Sequence, residues 1–514
     1  MTAILIIALP YLFLSIKVNK ARLTMDNKSD VLVIGAGVIG CAIARELSRF
    51  KIKITLLEKE VDVGSGVSKG NSGVLHTGLY YSKGSLKAKL CVEGRLMFPA
   101  LAKQLDVPYR LCGKHVIART EEELEDLKDL KAVGEGNGVE GLTIISGEEL
   151  KKREPRLDAL YALYSPVAGI FPPYLFTIAL AENALNNDVK IHVNTKVSAI
   201  KQANGGYKVT TNQGDFYTTF VVNSAGLYAD KISAMVGLDD YKLYPCRGEY
   251  LLLDKTCGDL VSSMVYPVPP KIAGVLGVHL TPTIDGNIMI GPTEEFIDSR
   301  EDTRTTREKI EELVEGAKDL LPPIPINQII YGFAAVRSKI TPPEEKTSRD
   351  FIIREELENF INMIGMESPG LTSSPAIAKL IVQMVKKRMD LKEKADFNPI
   401  RKRTKPFNEA SKTEQAALIK ADPAYGEIVC RCEQVSKREV LDALDNPISE
   451  KTVSAVKYRT RAGMGRCHGG FCLPKIVEIL KEEYGVPPEE IKLKNLDSSL
   501  FIGKTKGLRE SEKK

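Results

Sequence analysis

At 514 residues the chain is long enough for two or three domains with sizeable cores. Its 43% hydrophobic and 27% charged residues suit a globular protein in water, and 72 Lys+Arg against 67 Asp+Glu is too small a surplus to point to nucleic acid. Nine cysteines in so long a chain exclude a secreted disulfide scaffold, so a reducing cytoplasm is the expected compartment.

Residues 1–24 form an apolar extension. Ile4 to Ile16 would reach about 20 Å as a helix, short of a ~30 Å hydrocarbon core, and Pro10 interrupts it. No basic residue precedes it and no small-residue cleavage site follows, which argues against a signal peptide. Lys17, Lys20 and Arg22 would suit a segment lying on the inner face of the cell membrane. The preferred reading is that Met25, six residues before the first strand, is the true start.

Val31 to Ile34 reads as a buried parallel strand. It runs into G-x-G-x-x-G at Gly35, Gly37 and Gly40. The first glycine permits a tight turn, the second lets backbone amides approach a pyrophosphate, and the third lets the next helix pack closely. Cys41 to Phe50 continues as that helix, and KITLLE follows as a second strand. Glu58 ends it 18 residues after Gly40, where an acid can bind both ribose hydroxyls. This ordered set predicts a dinucleotide site.

Residues 61–95 are a glycine- and serine-rich loop leading into a helix, suited to close passage under a flat ligand. The run from Asn71, Ser72 and Gly73 through His76 to Gly78, then Gly84 to Ala88, resembles the flavin-side motif of the FAD-dependent amino-acid and hydroxy-acid oxidase superfamily, which is D-amino-acid-oxidase-like (DAO) and includes FAD-dependent glycerol-3-phosphate dehydrogenases and L-2-hydroxyglutarate oxidases. The resemblance covers residues 30–390. It implies an α/β fold: a Rossmann-like FAD domain of the glutathione-reductase/DAO type with an antiparallel substrate sheet. By the same resemblance Lys59, Ser68, Val197, Gly226, Gly365, Gly370, Leu371 and Thr372 join the expected FAD contacts. Between these points lie a charged helix at Glu121–Lys131, a helix over 177–185 and a hairpin around Asn212-Gln213-Gly214. Short β-type runs from Tyr244 to Arg337 resemble the substrate sheet.

Residues 391–425 read as a linker. Beyond it, Cys430 and Cys432 are followed, after 34 intervening residues, by Cys467 and Cys472. Four thiolates in two pairs suit a [2Fe–2S] centre and would also suit zinc. Ser436 with Glu439 predicts a capping box on the helix between them. The module resembles the bacterioferritin-associated-ferredoxin-like (BFD-like) domain, in the longer-spaced form fused to the anaerobic glycerol-3-phosphate dehydrogenase large subunit. It is expected to be a small helical [2Fe–2S] domain over 426–490, followed by a tail over 491–514; the oxidoreductase body would cover 25–390, its substrate subdomain about 244–337.

A flavin beside a one-electron centre argues for a dehydrogenase that hands electrons to a flavoprotein or iron–sulfur partner subunit, or to a quinone. His76 is the leading candidate base, since imidazole titrates near neutrality; the bland alternative is a histidine bonded to loop backbone. His279 is the second candidate. A small anionic hydroxy substrate needs fixed positive charge, and Arg337 and Arg247 sit in segments resembling the family's substrate wall. For Arg247 a salt bridge is an equal alternative. Lys339 and Tyr266 are weaker candidates; His468 is expected to modulate the cluster. The implied reaction is oxidation of sn-glycerol 3-phosphate. The alternatives are L-2-hydroxyglutarate oxidation, an amine or opine oxidase, and a non-catalytic electron relay.

Overall fold

The computed structural model describes residues 27–270, 276–345 and 347–503. The apolar N-terminal stretch, the Met25 start and the tail beyond residue 503 lie outside them. The strand Lys28–Ile34 has no exposed residue from Val31 onward, because parallel neighbours flank it and helices cover the sheet. Gly214–Asn223 pairs with it in parallel on one side and Ile54–Leu57 on the other. Phe360–Ile364 and Lys190–His192 extend this parallel core at its two edges. The expected hairpin is present as Gly206–Thr211 against Gly214–Asn223. Helices Val38–Leu47, Leu86–Leu105, Pro173–Leu185 and Gly370–Lys386 pack around one hydrophobic core that includes Val31, Ile43, Phe98, Phe176 and Ile377.

A second, nine-stranded sheet stands beside the first. Its centre is the long antiparallel pair Tyr244–Leu253 and Ile329–Lys339. Residues 244–337 do not build it alone. Lys114–Ala118 adds in parallel to Met264–Pro267, and Tyr161–Ser165 and Thr143–Ser146 complete the edge. Those strands come from a stretch whose apolar periodicity is mixed, and their membership is set by long-range pairing.

The stretch expected as a linker is laid along the first domain. The amide of Lys394 donates to the Arg49 carbonyl, that of Arg401 to the Gln104 carbonyl, and Asn183 and Asn187 donate to the Asn398 carbonyl. It also carries a helix, Lys412–Ala421, with its own capping box. The cysteine module is a small helical body with a separate core around Val440, Val456, Ile476 and Leu480. Its helix Lys437–Leu444 has the anticipated capping box at Ser436 and Glu439. Buried charge ties it to the rest. Arg459 pairs with Asp62 at 2.6 Å, and Arg461 with Asp285 at 2.5 Å.

Candidate active site

The glycine turn has the predicted physical form. Gly35 takes φ +100°, and a Cβ there would lie 2.7 Å from the Ser224 carbonyl oxygen. A Cβ on Gly40 would sit 1.9 Å from the Gly35 carbonyl oxygen, so only glycine lets the helix approach this closely. The Ser68 hydroxyl accepts from the Val38 amide at the helix start, whose first turn holds no acid. This amide-rich terminus suits an anion. Glu58 accepts from the amides of Ala36 and Glu60 at 2.8 and 2.9 Å. Burial pushes its carboxyl up, against the pull of those two amides.

One continuous cavity of about 2370 Å³ opens from this turn. Gly35, Gly37, Glu58, Lys59, Val197 and Gly226 line it, together with Ser68, Asn71, Ser72, Gly73, Gly370 and Leu371. Gly226, with φ +53°, faces open space. His76, His279, Arg337, Tyr80 and Tyr266 line the same cavity. The His76 amide donates to the Thr372 hydroxyl at 2.9 Å, and its Nε2 lies 3.3 Å from the Ser368 Oγ. Nδ1 of His76 is buried with no partner. Burial holds the imidazole well below its usual range, with Lys114 and His279 adding to the shift, so it is neutral at physiological pH. His279 stacks on Tyr266 with ring centroids 3.9 Å apart, and burial lowers it to about 3. Arg337 donates to the Thr293 carbonyl at 2.9 Å and lies 3.4 Å from Glu294, leaving its Nε buried and unpartnered. The structure thus gathers an uncharged base and a cation with unused donor capacity around one space.

Several expected contacts are corrected. Arg247 does not line the cavity: its guanidinium is held by Glu295 at 2.6 Å and Asp302 at 2.9 Å, with Glu249 at 3.5 Å. Lys339 is likewise taken by Glu294 and lies outside the lining. Gly365 and Thr372 also stand back from it. Gly365 takes φ +75° in a turn, and Thr372 donates to the Val74 carbonyl while holding the His76 amide. Asn71 does face the cavity, but its side chain bonds the carbonyls of Val67 and Ser68 and the Gly73 amide, fixing the loop that carries His76. Tyr80, Ser368 and the fully buried Lys114 were not singled out from sequence. A lysine opening the buried run KHVIA was the one available signal.

The four cysteines converge as two pairs. Sγ of Cys432 and Cys467 are 3.6 Å apart, the spacing of two thiolates on one iron, and Cys430 hydrogen-bonds with Cys472. That bond lowers the Cys430 thiol to about 6 and pushes Cys472 up. A Cβ on Gly465 would lie 2.2 Å from the Cys432 Cβ, so the second loop can close on the first only as glycine. Two thiol pairs suit two irons. His468 lies beside the module's cysteines, its ring 6.0 Å from that of Tyr331 on the substrate sheet.

The FAD dependent oxidoreductase (DAO) family matches residues 30–384. The chain belongs to that family. It is an FAD-dependent oxidoreductase, and its residues 428–482 match the BFD-like [2Fe-2S] binding domain. It is 42% identical to a glycerol 3-phosphate dehydrogenase of Caloramator mitchellensis, over 93% of this chain and 99% of that one. A mitochondrial L-2-hydroxyglutarate dehydrogenase of Homo sapiens is 30% identical over 72% of this chain and 91% of its own length. Among solved structures, the dithionite-reduced L-alpha-glycerophosphate oxidase of Mycoplasma pneumoniae with FAD bound superposes with a TM-score of 0.68 at 34% identity, covering 73% of this chain and 98% of that one. Among the described residues no helix is long and apolar enough to cross a membrane.

Proposed function

We propose that the protein is a dehydrogenase that oxidises sn-glycerol 3-phosphate to dihydroxyacetone phosphate and passes the electrons through its cysteine module to a partner carrier or a quinone. The observation that carries this reading is the extent of similarity to the Caloramator glycerol 3-phosphate dehydrogenase: it spans 93% of the chain and so includes the cluster domain, whereas the human L-2-hydroxyglutarate relative reaches 72%.

FAD, when bound, would be held by the Gly35–Gly40 turn, Glu58, Val197, Gly226 and the 68–73 loop and would accept a hydride, and a [2Fe–2S] cluster on Cys430, Cys432, Cys467 and Cys472 would supply one-electron transfer. The chain's own residues do the rest. Oxidation of the secondary alcohol removes one C–H hydrogen with its electron pair and one O–H proton. His76, neutral because it is buried, takes that proton on a ring nitrogen, and Ser368 holds the ring at Nε2. Arg337, which lines the cavity, offers its positive charge to the phosphate, while Thr293 and Glu294 fix the guanidinium.

Anaerobic stopped-flow mixing of the holoenzyme with sn-glycerol 3-phosphate and, separately, with L-2-hydroxyglutarate tests this. Loss of the oxidised-flavin band with glycerol 3-phosphate alone is the expected result; bleaching only by L-2-hydroxyglutarate moves the substrate to the 2-hydroxy acid.

A further inference from the structure

The four cysteines of the C-terminal module are not equally sheltered. Cys430 and Cys472 are each 1% exposed, whereas Cys432 is open to solvent and Cys467 is half-buried. One thiol pair therefore faces inward and the other outward. The outward pair is held by its own loop: the Phe471 amide hydrogen-bonds to the Cys467 thiol, and the Cys467 amide to that of Cys432. Phe471 itself is 69% exposed, more than any other phenylalanine or tyrosine among the described residues.

Charge around these loops is sorted by depth. Residues 429–435 and 461–475 carry Arg431, Arg461, Arg466 and Lys475 but one carboxylate, Glu433. The side chain of Glu433 is 4% exposed and that of Asp254, at the end of strand Tyr244–Leu253, 6%. The cations that pair with them, Lys255 and Arg466, are 41% and 63% exposed. Arg431, between an inward and an outward cysteine, is exposed and has no carboxylate partner among the described residues. His468 is exposed as well. The face thus shows its cations and one aromatic ring and keeps its carboxylates underneath. A single exposed ring needs no explanation by itself. An exposed ring with arginines, set beside the outward sulfurs of a one-electron centre, has the composition of a docking hot spot.

We propose that this face docks an acidic one-electron carrier protein, with Phe471 as the apolar anchor and Arg431 and Arg466 drawing in the carrier's carboxylates. The need for a carrier rests on the function proposed above; the outward cations favour a protein with surface carboxylates over an uncharged quinone. Docking there brings the carrier's cofactor to the Cys432–Cys467 side of a bound cluster. One electron crosses at each encounter with no bond made or broken, and two crossings return the two electrons that each substrate molecule gives up. Such a contact is small and short-lived, quick to form because opposite charges attract at long range, and weakened by salt.

The test uses the full chain loaded with FAD and cluster, oxidised and without substrate, so that binding is read with no turnover. The probes are a flavodoxin, which is an acidic one-electron carrier, and cytochrome c, a basic one. Flavodoxin should bind at low salt and weaken roughly tenfold or more towards physiological salt, and cytochrome c should not bind. Phe471→Ala and Arg431→Glu should each weaken flavodoxin roughly tenfold or more. Lys128→Glu, the same kind of charge reversal on helix Glu121–Gly136, should not. Both face variants should keep the FAD and cluster spectrum and the wild-type rate of flavin reduction by glycerol 3-phosphate. If Phe471→Ala loses its cluster, Arg431→Glu and the salt dependence carry the test. A loss no larger in Arg431→Glu than in Lys128→Glu overturns the proposal, as does a wild type that binds neither probe or binds both alike. So does reoxidation of the reduced protein by a soluble quinone but not by flavodoxin. The expected binding pattern in a protein that glycerol 3-phosphate does not reduce overturns the substrate and leaves the docking face standing.

Discussion

Two regions beside the same cavity treat polar groups in opposite ways. Where the cysteine module docks, charges meet partners: Arg459 with Asp62, Arg461 with Asp285 and Glu433, Lys255 with Glu433, Arg466 with Asp254. Around His76 the polar atoms stand idle, among them His76 Nδ1, His279 Nε2, Arg337 Nε and the hydroxyls of Tyr80 and Tyr266. Buried polar groups without partners are costly, and the residues that carry these five all line the cavity. A wall with its charges paired is shaped to stay closed. Arg337 and Arg247 show the same contrast on neighbouring strands of one sheet. Both are arginines among carboxylates with a buried, unpartnered Nε, yet only Arg337 lines the cavity.

The contrast can be broken by substitution. The largest effect is expected at His76: alanine there should leave FAD bound but slow flavin reduction by about 10²- to 10⁴-fold, the usual contribution of a general base. Reduction at the wild-type rate would remove His76 from the proton transfer. On the closed wall, Asp62→Asn leaves Arg459, largely buried, without its counter-charge, and should cost roughly 3 kcal/mol in a denaturant melt while leaving substrate half-saturation alone. A shift in half-saturation without a change in stability would reverse the assignment of that wall. Arg337→Met should raise the substrate concentration for half-reduction at least tenfold, equivalent to the ~1.5–3 kcal/mol of a charged hydrogen bond. Arg247→Met should instead lower the melting temperature and leave half-saturation in place. Equal kinetic effects at the two arginines would erase the distinction.

The smallest effect is on stability against pH. Burial lowers His115 to about 4 and His279 to about 3, both below the unfolded value of 6.5. The native state therefore binds fewer protons than the unfolded chain, so their contribution is complete above pH 6.5 and is lost as pH falls. By pH 5.5 each should have lost roughly 1 kcal/mol. A melting temperature unchanged between pH 7 and 5.5 would show that neither is held neutral by the fold.

The glycine turn was legible because each of its requirements is local. A left-handed φ at Gly35 and a 1.9 Å clash at Gly40 exclude other side chains at those positions, whatever the rest of the chain does. The capping box at Ser436 and Glu439 and the spacing of the four cysteines are local in the same sense. The substrate wall is not. Arg247 and Arg337 look alike in sequence, and their difference lies in Glu295 and Asp302, some fifty residues further along the chain from Arg247, which hold one and miss the other. Lys114 and Tyr266 are 152 residues apart by number and meet only because their strands are hydrogen-bonded neighbours.

The sequence by itself determined the dinucleotide-type turn, the two-part organisation of the chain and the paired cysteines, because those features depend on backbone conformations and spacings within a few residues. Only the tertiary structure decided which cations are paired away from the cavity and which line it, since both depend on distances between strands. It also decided that the cluster domain helps to wall the cavity, through Lys457, Tyr458 and Arg461. Charge complementarity across a docked surface carries no periodicity that a reading along the chain could detect.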